Sequence, residues 1–95
     1  MLVHLVCFKY KANVDADARR EHRSRLKALS GLEGIIQLTV GEDVVRSARS
    51  YDTGLLITFV NRGALDAYQK DPKHVPVQQL GIALSEHVVA VDFFA

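Results

Sequence analysis

Two histidines and a tyrosine are the side chains of this sequence best suited to acid–base chemistry. His4 lies in an apolar run near the amino terminus, and Tyr68 and His74 stand on either side of residues 71–73. An imidazole has an unperturbed pKa of about 6.5 and can take a proton from an activated CH₂ group. A phenol hydroxyl can donate a hydrogen bond to a carbonyl oxygen that gains negative charge. The three residue types therefore fit proton transfer on a carbonyl compound.

Each of these residues also has a structural interpretation. His4 is compatible with a core histidine whose ring is hydrogen-bonded, and Tyr68 shares a helical spacing with Leu65, which is typical of a core position. His74 follows a predicted helix end, where it can cap a terminus or bond to His4. Burying a polar group without a partner costs about 1–3 kcal/mol, so all three need either partners or a ligand.

The composition of the chain restricts the class of protein it can belong to and the partners it can bind. The chain has 95 residues, 48% hydrophobic and 24% charged, which predicts one globular domain over residues 1–95. A net charge of +1 and the lack of a long basic block argue against nucleic-acid and membrane partners. The lone Cys7 and the lack of a signal-like segment or an apolar run of about 18 residues predict a cytoplasmic protein.

Hydrophobic periodicity predicts the elements that carry these residues. Strands are expected at residues 2–10, 35–40, 53–60 and 88–94, and helices at residues 15–30, 61–71 and 77–84. Asp15 and Asn61 are suitable N-caps for the first two helices, and Pro72 ends the second. The order β-α-β-β-α-β is typical of the α+β, ferredoxin-like arrangement, in which helices cover one face of a four-stranded antiparallel sheet.

The face of the sheet opposite the helices is predicted to be apolar as well. If the even residues of the first strand face the helices, this outer face carries Val3, Leu5, Cys7, Leu56, Val60, Val89, Val91 and Phe93. A sheet that is apolar on both faces must be covered on both. We therefore expect a homodimer joined sheet to sheet. An RNA-binding sheet would instead present basic and aromatic residues.

Several segments together resemble the stress-responsive A/B barrel family, one of the dimeric α/β-barrel families. These segments are Val3-His4-Leu5-Val6-Cys7-Phe8-Lys9-Tyr10-Lys11, Gly41-Glu42-Asp43-Val44, Ala67-Tyr68 with Asp71-Pro72-Lys73-His74, and Val91-Asp92-Phe93. The resemblance implies a ferredoxin-like protomer, a dimer whose two sheets form a barrel, and a link to stress response. It implies little about chemistry, because most members have no assigned reaction.

One branch of that family, the plant polyketide cyclases, performs an aldol condensation in a pocket between sheet and helices. By resemblance, His4, Tyr68 and His74 fall on the positions which that branch uses. We expect His74 to act as base, Tyr68 as acid or orienting group, and His4 as a second hydrogen-bonding group. The residues expected to bind a ligand in this pocket are Val6, Phe8, His22, Leu26, Thr53, Leu55 and Ile57. The chain departs from that branch at His22 and Thr53, which predicts a more polar pocket.

Two function classes stay open after these comparisons of residues. The first is a small dimeric barrel that binds a small hydrophobic or carbonyl ligand and has an unassigned physiological role. The second is a cofactor-free cyclase, isomerase or lyase. No metal and no cofactor are expected, because the four histidines are scattered along the chain. A cavity of about 300 Å³ or more with His4, Tyr68 and His74 on its wall would favour the enzyme. His22 is expected at the helix edge, reaching toward solvent.

Overall fold

Four strands and three α-helices make up the computed structural model, which describes residues 1–95. In chain order they are β1 (Leu2–Tyr10), α1 (Ala16–Lys27), β2 (Ile35–Glu42), β3 (Thr53–Phe59), α2 (Arg62–Lys70), α3 (His74–Leu84) and β4 (Ser85–Phe94). A short 3₁₀ turn, Ala28–Gly31, continues α1. None of the helices is both long and apolar enough to cross a lipid bilayer.

The strands form one antiparallel sheet in the order β2-β3-β1-β4. β1 lies between β3 and β4, and its residues 2–8 have a neighbour on both sides. His4 lies opposite Ile57 on β3 and opposite Asp92 on β4. The buried apolar residues of the sheet form a single core with those of the helices, and this core includes Leu26 of α1 and Leu65 of α2. The ferredoxin-like prediction is confirmed.

Both predicted N-caps are present at the starts of their helices. The Asp15 carboxylate accepts a hydrogen bond from the Ala18 amide at 2.8 Å, and the Asn61 side chain accepts one from the Ala64 amide at 2.9 Å. Each cap satisfies an amide that has no partner inside the first turn. Local sequence thus fixes where α1 and α2 begin.

The third helix begins three residues earlier than the predicted start at residue 77. α3 starts at His74, and Pro76 lies inside its first turn. A proline is tolerated there because the first amides of a helix have no intrahelical acceptor. β4 also begins three residues early, at Ser85, directly after the helix. His74 is therefore held by a regular helix rather than by a loop.

The two faces of β1 alternate strictly between the core and the outer face. Its even residues are buried and its odd residues are half-buried. On the neighbouring strands the outer face presents exposed Leu56, Val60, Val89, Val91 and Phe93. The single chain thus leaves an apolar outer face uncovered, as the alternation predicted.

Candidate functional site

A cavity of about 390 Å³ lies between the helix-facing side of β1 and β4 and the helices α2 and α3. Most of its wall is apolar. The polar side chains that line it are His4, Tyr68, Gln69, His74 and Gln78. No aspartate, glutamate, lysine or arginine belongs to the lining. The cavity therefore suits a neutral ligand that carries a few hydrogen-bonding atoms.

The three residues singled out from the sequence meet on the wall of this cavity. His4 projects from the helix-facing side of β1, Tyr68 lies in the last turn of α2, and His74 is the first residue of α3. The ring centroids of His4 and Tyr68 are 6.2 Å apart, and those of Tyr68 and His74 are 4.1 Å apart.

The segment between α2 and α3 sets the position of His74. The Asp71 carbonyl accepts a hydrogen bond from the His74 amide at 2.9 Å, and the Asp71 carboxylate accepts one from the Lys73 amide at 2.7 Å. Pro72, between them, prevents α2 from continuing. The tight turn therefore brings the His74 ring back against Tyr68.

Two polar atoms of the site are buried and have no hydrogen-bond partner in the protein, the Tyr68 hydroxyl and Nδ1 of His74. Leaving such atoms unpaired costs about 1–3 kcal/mol each, which a ligand could recover. Burial raises the pKa of the Tyr68 hydroxyl and lowers the pKa of the His74 imidazole. Both groups are thus neutral at neutral pH, so the phenol is a hydrogen-bond donor and the imidazole has a free lone pair.

Asp92 joins the site as the partner of His4. These residues lie opposite each other on β1 and β4, and Oδ1 of Asp92 contacts Nδ1 of His4. A carboxylate at this nitrogen holds the proton on Nδ1 and leaves Nε2 with the lone pair. Sequence reasoning did not assign Asp92 a role. The available signal was one acidic residue in an apolar strand, on the same alternating face as Val88 and Ala90.

The seven residues predicted to bind a ligand divide into two groups. Val6, Phe8, Leu26 and Leu55 line the cavity. Ile57 is fully buried in the core, and His22 and Thr53 are buried but do not belong to the cavity lining. The lining residues that sequence reasoning missed come mainly from α3 and β4, namely Gln69, Val77, Gln78, Ile82, Val88 and Ala90.

His22 and Thr53 belong to a separate buried cluster around Tyr10. The Tyr10 hydroxyl lies 2.7 Å from Nδ1 of His22 and 2.9 Å from Oγ1 of Thr53, and Arg23 donates to that Oγ1 at 3.3 Å. The expectation that His22 reaches solvent is wrong, because its exposed fraction is 0%. The Tyr10 hydroxyl supplies a partner for Nδ1 of the buried imidazole, whereas its Nε2 is buried without one. Burial, together with the nearby Arg23 guanidinium, lowers the pKa of His22 to about 4.

Comparison with protein families gives one match over almost the whole chain. The model of the stress responsive A/B barrel domain matches residues 2–95. No curated protein sequence matches the chain.

Solved structures with the same fold include both proteins of unknown function and an enzyme. A dimeric ferredoxin-like protein of unknown function from Thermobifida fusca is 21% identical, with a TM-score of 0.91 over 99% of this chain and 90% of that one. A dimeric ferredoxin-like protein from Jannaschia sp. CCS1, also of unknown function, is 27% identical, with a TM-score of 0.84 over 99% and 98%. The hydroxynitrile lyase from Passiflora edulis is 13% identical, with a TM-score of 0.89 over 99% and 92%.

Proposed function

Because this chain belongs to the stress responsive A/B barrel domain family, we propose that it is a small homodimer that binds a neutral carbonyl compound and catalyses proton transfer on it without a cofactor. The observation that carries this proposal is the pair of buried, unpartnered polar atoms, the Tyr68 hydroxyl and Nδ1 of His74, on the wall of a cavity that His4, the partner of Asp92, also lines. Polar atoms that lack partners at a cavity wall are the groups a ligand would engage.

The contacts favour His4 as the base, in place of His74, which sequence reasoning had assigned to that role. Asp92 orients the His4 ring and stabilises the imidazolium that forms when Nε2 accepts a proton. His74 has no such carboxylate at its unpartnered Nδ1, and burial lowers its pKa, so its surroundings favour the neutral imidazole.

The common step is removal of a proton from the carbon next to the carbonyl. The C–H bond breaks, Nε2 of His4 takes the proton, and the electron pair moves onto the carbonyl oxygen to give an enolate. Tyr68 donates a hydrogen bond to that oxygen as its charge grows, and His74 provides a second polar contact. Return of the proton to a different atom, or to the opposite face of the same carbon, gives isomerisation. Attack of the enolate carbon on a second carbonyl, whose new alkoxide takes the proton from Nε2 of His4, gives aldol cyclisation.

Hydrogen–deuterium exchange tests this step without knowledge of the natural substrate. A methyl ketone such as 2-butanone, dissolved in D₂O with the purified protein, is expected to exchange its α-protons faster than in buffer alone, at a rate that saturates with ketone concentration. Proton NMR measures the loss of the α-proton signals. The expected gain from a positioned base is about 10²–10⁴-fold.

A non-catalytic binding protein is the second candidate, favoured by the mostly apolar cavity wall. In that case the ketone would bind saturably, and the bound ketone would exchange no faster than the free one. Absence of both binding and exchange across a panel of aldehydes and ketones would overturn both functions. The hydroxynitrile lyase with the same fold is in keeping with the catalytic candidate, although its identity to this chain is low.

The homodimer is proposed to form through the outer face of the sheet. Two similar structures are described as dimeric, and Val91, whose exposed fraction is 52%, lies on the edge strand of this face, opposite Leu5 of β1. An aliphatic outer face of this extent is of the kind that another chain covers.

Val91→Glu is expected to raise the dimer dissociation constant by at least about 100-fold, because it buries an unpaired carboxylate at each copy of the interface. Light scattering over a range of protein concentrations measures this change. Ile82→Glu is the matched control, since Ile82 is an exposed residue on the helix side. A wild-type protein that is monomeric at micromolar concentration would contradict the proposal.

The proposed compartment is the cytoplasm and the proposed ligand is a small molecule. A lone cysteine fits a reducing environment, where structural disulfides are rare. A net charge of +1 and an aliphatic outer face argue for a neutral ligand over a nucleic acid. The proposed physiological role, suggested by the family's description as stress responsive, is a contribution to stress tolerance.

A further inference from the structure

A second cavity, also of about 390 Å³, shares Tyr68 with the first as a lining residue. It lies between α2 and residues 32–34, which precede β2. Its charged lining residues are Glu33 and Asp71, and no lysine or arginine belongs to its wall. The rest of the wall is mostly apolar, formed by Leu32, Val60, Ala64 and Ala67. The second cavity is therefore acidic, whereas the first has no charged lining residue apart from its histidines.

A close contact at Gly34 holds residues 32–34 against α2. The backbone of Gly34 has a φ of +88°, which favours glycine, and an added methyl group there would lie 2.7 Å from Cβ of Ala64. The Gly34 carbonyl also accepts a hydrogen bond from the Val60 amide at 3.3 Å. The wall of the second cavity is thus already formed in the protein alone.

The two carboxylates of this cavity have no cationic partner in the protein. The chain has eleven acidic side chains, and all except Asp15, Glu33 and Asp71 lie within ion-pairing distance of an arginine or a histidine. Asp15 serves as the N-cap of α1. Glu33 is exposed and Asp71 is half-buried, and both face one mostly apolar cavity. A cation placed there would gain two carboxylate contacts without displacing an existing ion pair.

Tyr68 is an independent feature that suits a positively charged donor. Its exposed fraction is 3%, and its hydroxyl has no hydrogen-bond partner in the protein. A phenol oxygen has two lone pairs, so it can accept a hydrogen bond from an ammonium group while its O–H donates elsewhere. The electron-rich face of a tyrosine ring also attracts cations.

We propose that the second cavity binds a small organic cation, with its ammonium group at Glu33 and Asp71 and its apolar part against Leu32 and Ala67. The carboxylates select the charge, and the aliphatic wall gains free energy when the alkyl part covers it. A metal ion fits this site less well, because it prefers more oxygen ligands than two carboxylates and gains nothing from an apolar wall. This second site involves no reaction and neither His4 nor His74, so it is independent of the proposed function.

Titration with n-butylammonium chloride, followed by NMR of the ¹⁵N-labelled protein, tests the proposal. Saturable shifts are expected at the amides of Gly34, Ala64 and Ala67, which surround the second cavity. The neutral analogue 1-butanol should bind at least about tenfold more weakly, because it lacks the charge that the two carboxylates attract. Raising the NaCl concentration from about 20 mM to about 200 mM should weaken the binding of butylammonium, since both carboxylates are accessible to solvent.

Glu33→Gln and Asp71→Asn should each weaken the binding of butylammonium about fivefold, because each removes one charge next to the ammonium group. Asparagine at position 71 keeps a side-chain oxygen that can accept from the Lys73 amide, so the turn before α3 is retained. Asp66→Asn is the matched control, since it removes a charge from the same helix outside the cavity lining and should leave the affinity unchanged.

Three outcomes would overturn the proposal. The first is equal affinity for butylammonium and 1-butanol, which would show that the cavity does not select a charge. The second is unchanged affinity in both Glu33→Gln and Asp71→Asn, or an equal loss in Asp66→Asn. The third is that MgCl₂ causes the same shifts at a lower concentration than butylammonium, which would identify a metal site instead.

Discussion

Asp92→Asn is expected to slow the α-proton exchange of a bound ketone by about 10²–10⁴-fold. The asparagine amide can donate to Nδ1 of His4, which would move the ring proton to Nε2 and remove the lone pair that faces the substrate. The amide also fails to stabilise the imidazolium. Because the Asp92 side chain is 39% exposed, the loss of exchange should come without a comparable loss of thermal stability.

Matched variants make this prediction specific. His4→Ala should cause the same loss, and adding Asp92→Asn to it should cost nothing more, since the two residues act as one unit. Asp66→Asn removes an exposed carboxylate of α2 outside the cavity and should leave the exchange rate unchanged. Full activity in Asp92→Asn, with a large loss in His74→Ala, would return the base role to His74.

The free energy of unfolding is expected to fall as the pH falls from about 6.5 to about 4, because His22 is fully buried. Its pKa in the folded protein is about 4, below the unperturbed value of about 6.5, so the unfolded chain binds more protons in this range. The contribution of neutral His22 to the free energy of unfolding is present in full above about pH 6.5. It is lost progressively at lower pH, and the loss reaches about 3 kcal/mol at pH 4. His74, whose pKa burial also lowers, adds to the loss.

Urea denaturation at a series of pH values and one fixed protein concentration measures this dependence. His22→Gln keeps a hydrogen-bonding group near the Tyr10 hydroxyl but cannot titrate, so its stability should depend less on pH between 6.5 and 4. His87→Gln is the control, because His87 is exposed and its loss should leave the pH dependence as in the wild type. An unchanged slope in His22→Gln would contradict the prediction.

The sequence predicted well those helices and strands whose ends or faces are set by residues within the same segment. The alternation of β1 separates a buried from a half-buried face, and Asp15 and Asn61 fix the starts of α1 and α2. The start of α3 lies three residues before the predicted residue 77, because Pro76 is compatible with the first turn of a helix. Local rules thus succeeded wherever one residue type dictates one conformation.

The hydrogen-bond partners of His4 and His22 escaped prediction. His4 and Asp92 are 88 residues apart and meet only because β4 pairs with β1 in a particular register. His22 is buried because the Tyr10 hydroxyl, on another element, reaches its ring. Neither strand register nor side-chain reach can be read from the periodicity of a single segment.

The alternation of buried and half-buried residues along β1 also affects how this protein can evolve. Three of its even positions, His4, Val6 and Phe8, form the cavity floor, and its odd positions belong to the outer face. A substitution at Val6 or Phe8 can therefore alter which molecules are accepted while leaving the proposed association of subunits intact, and one at Val3 or Leu5 can do the reverse. If the proposed ligand site and dimer are right, nine consecutive residues carry both on opposite faces, so the range of ligands can evolve while the assembly stays the same.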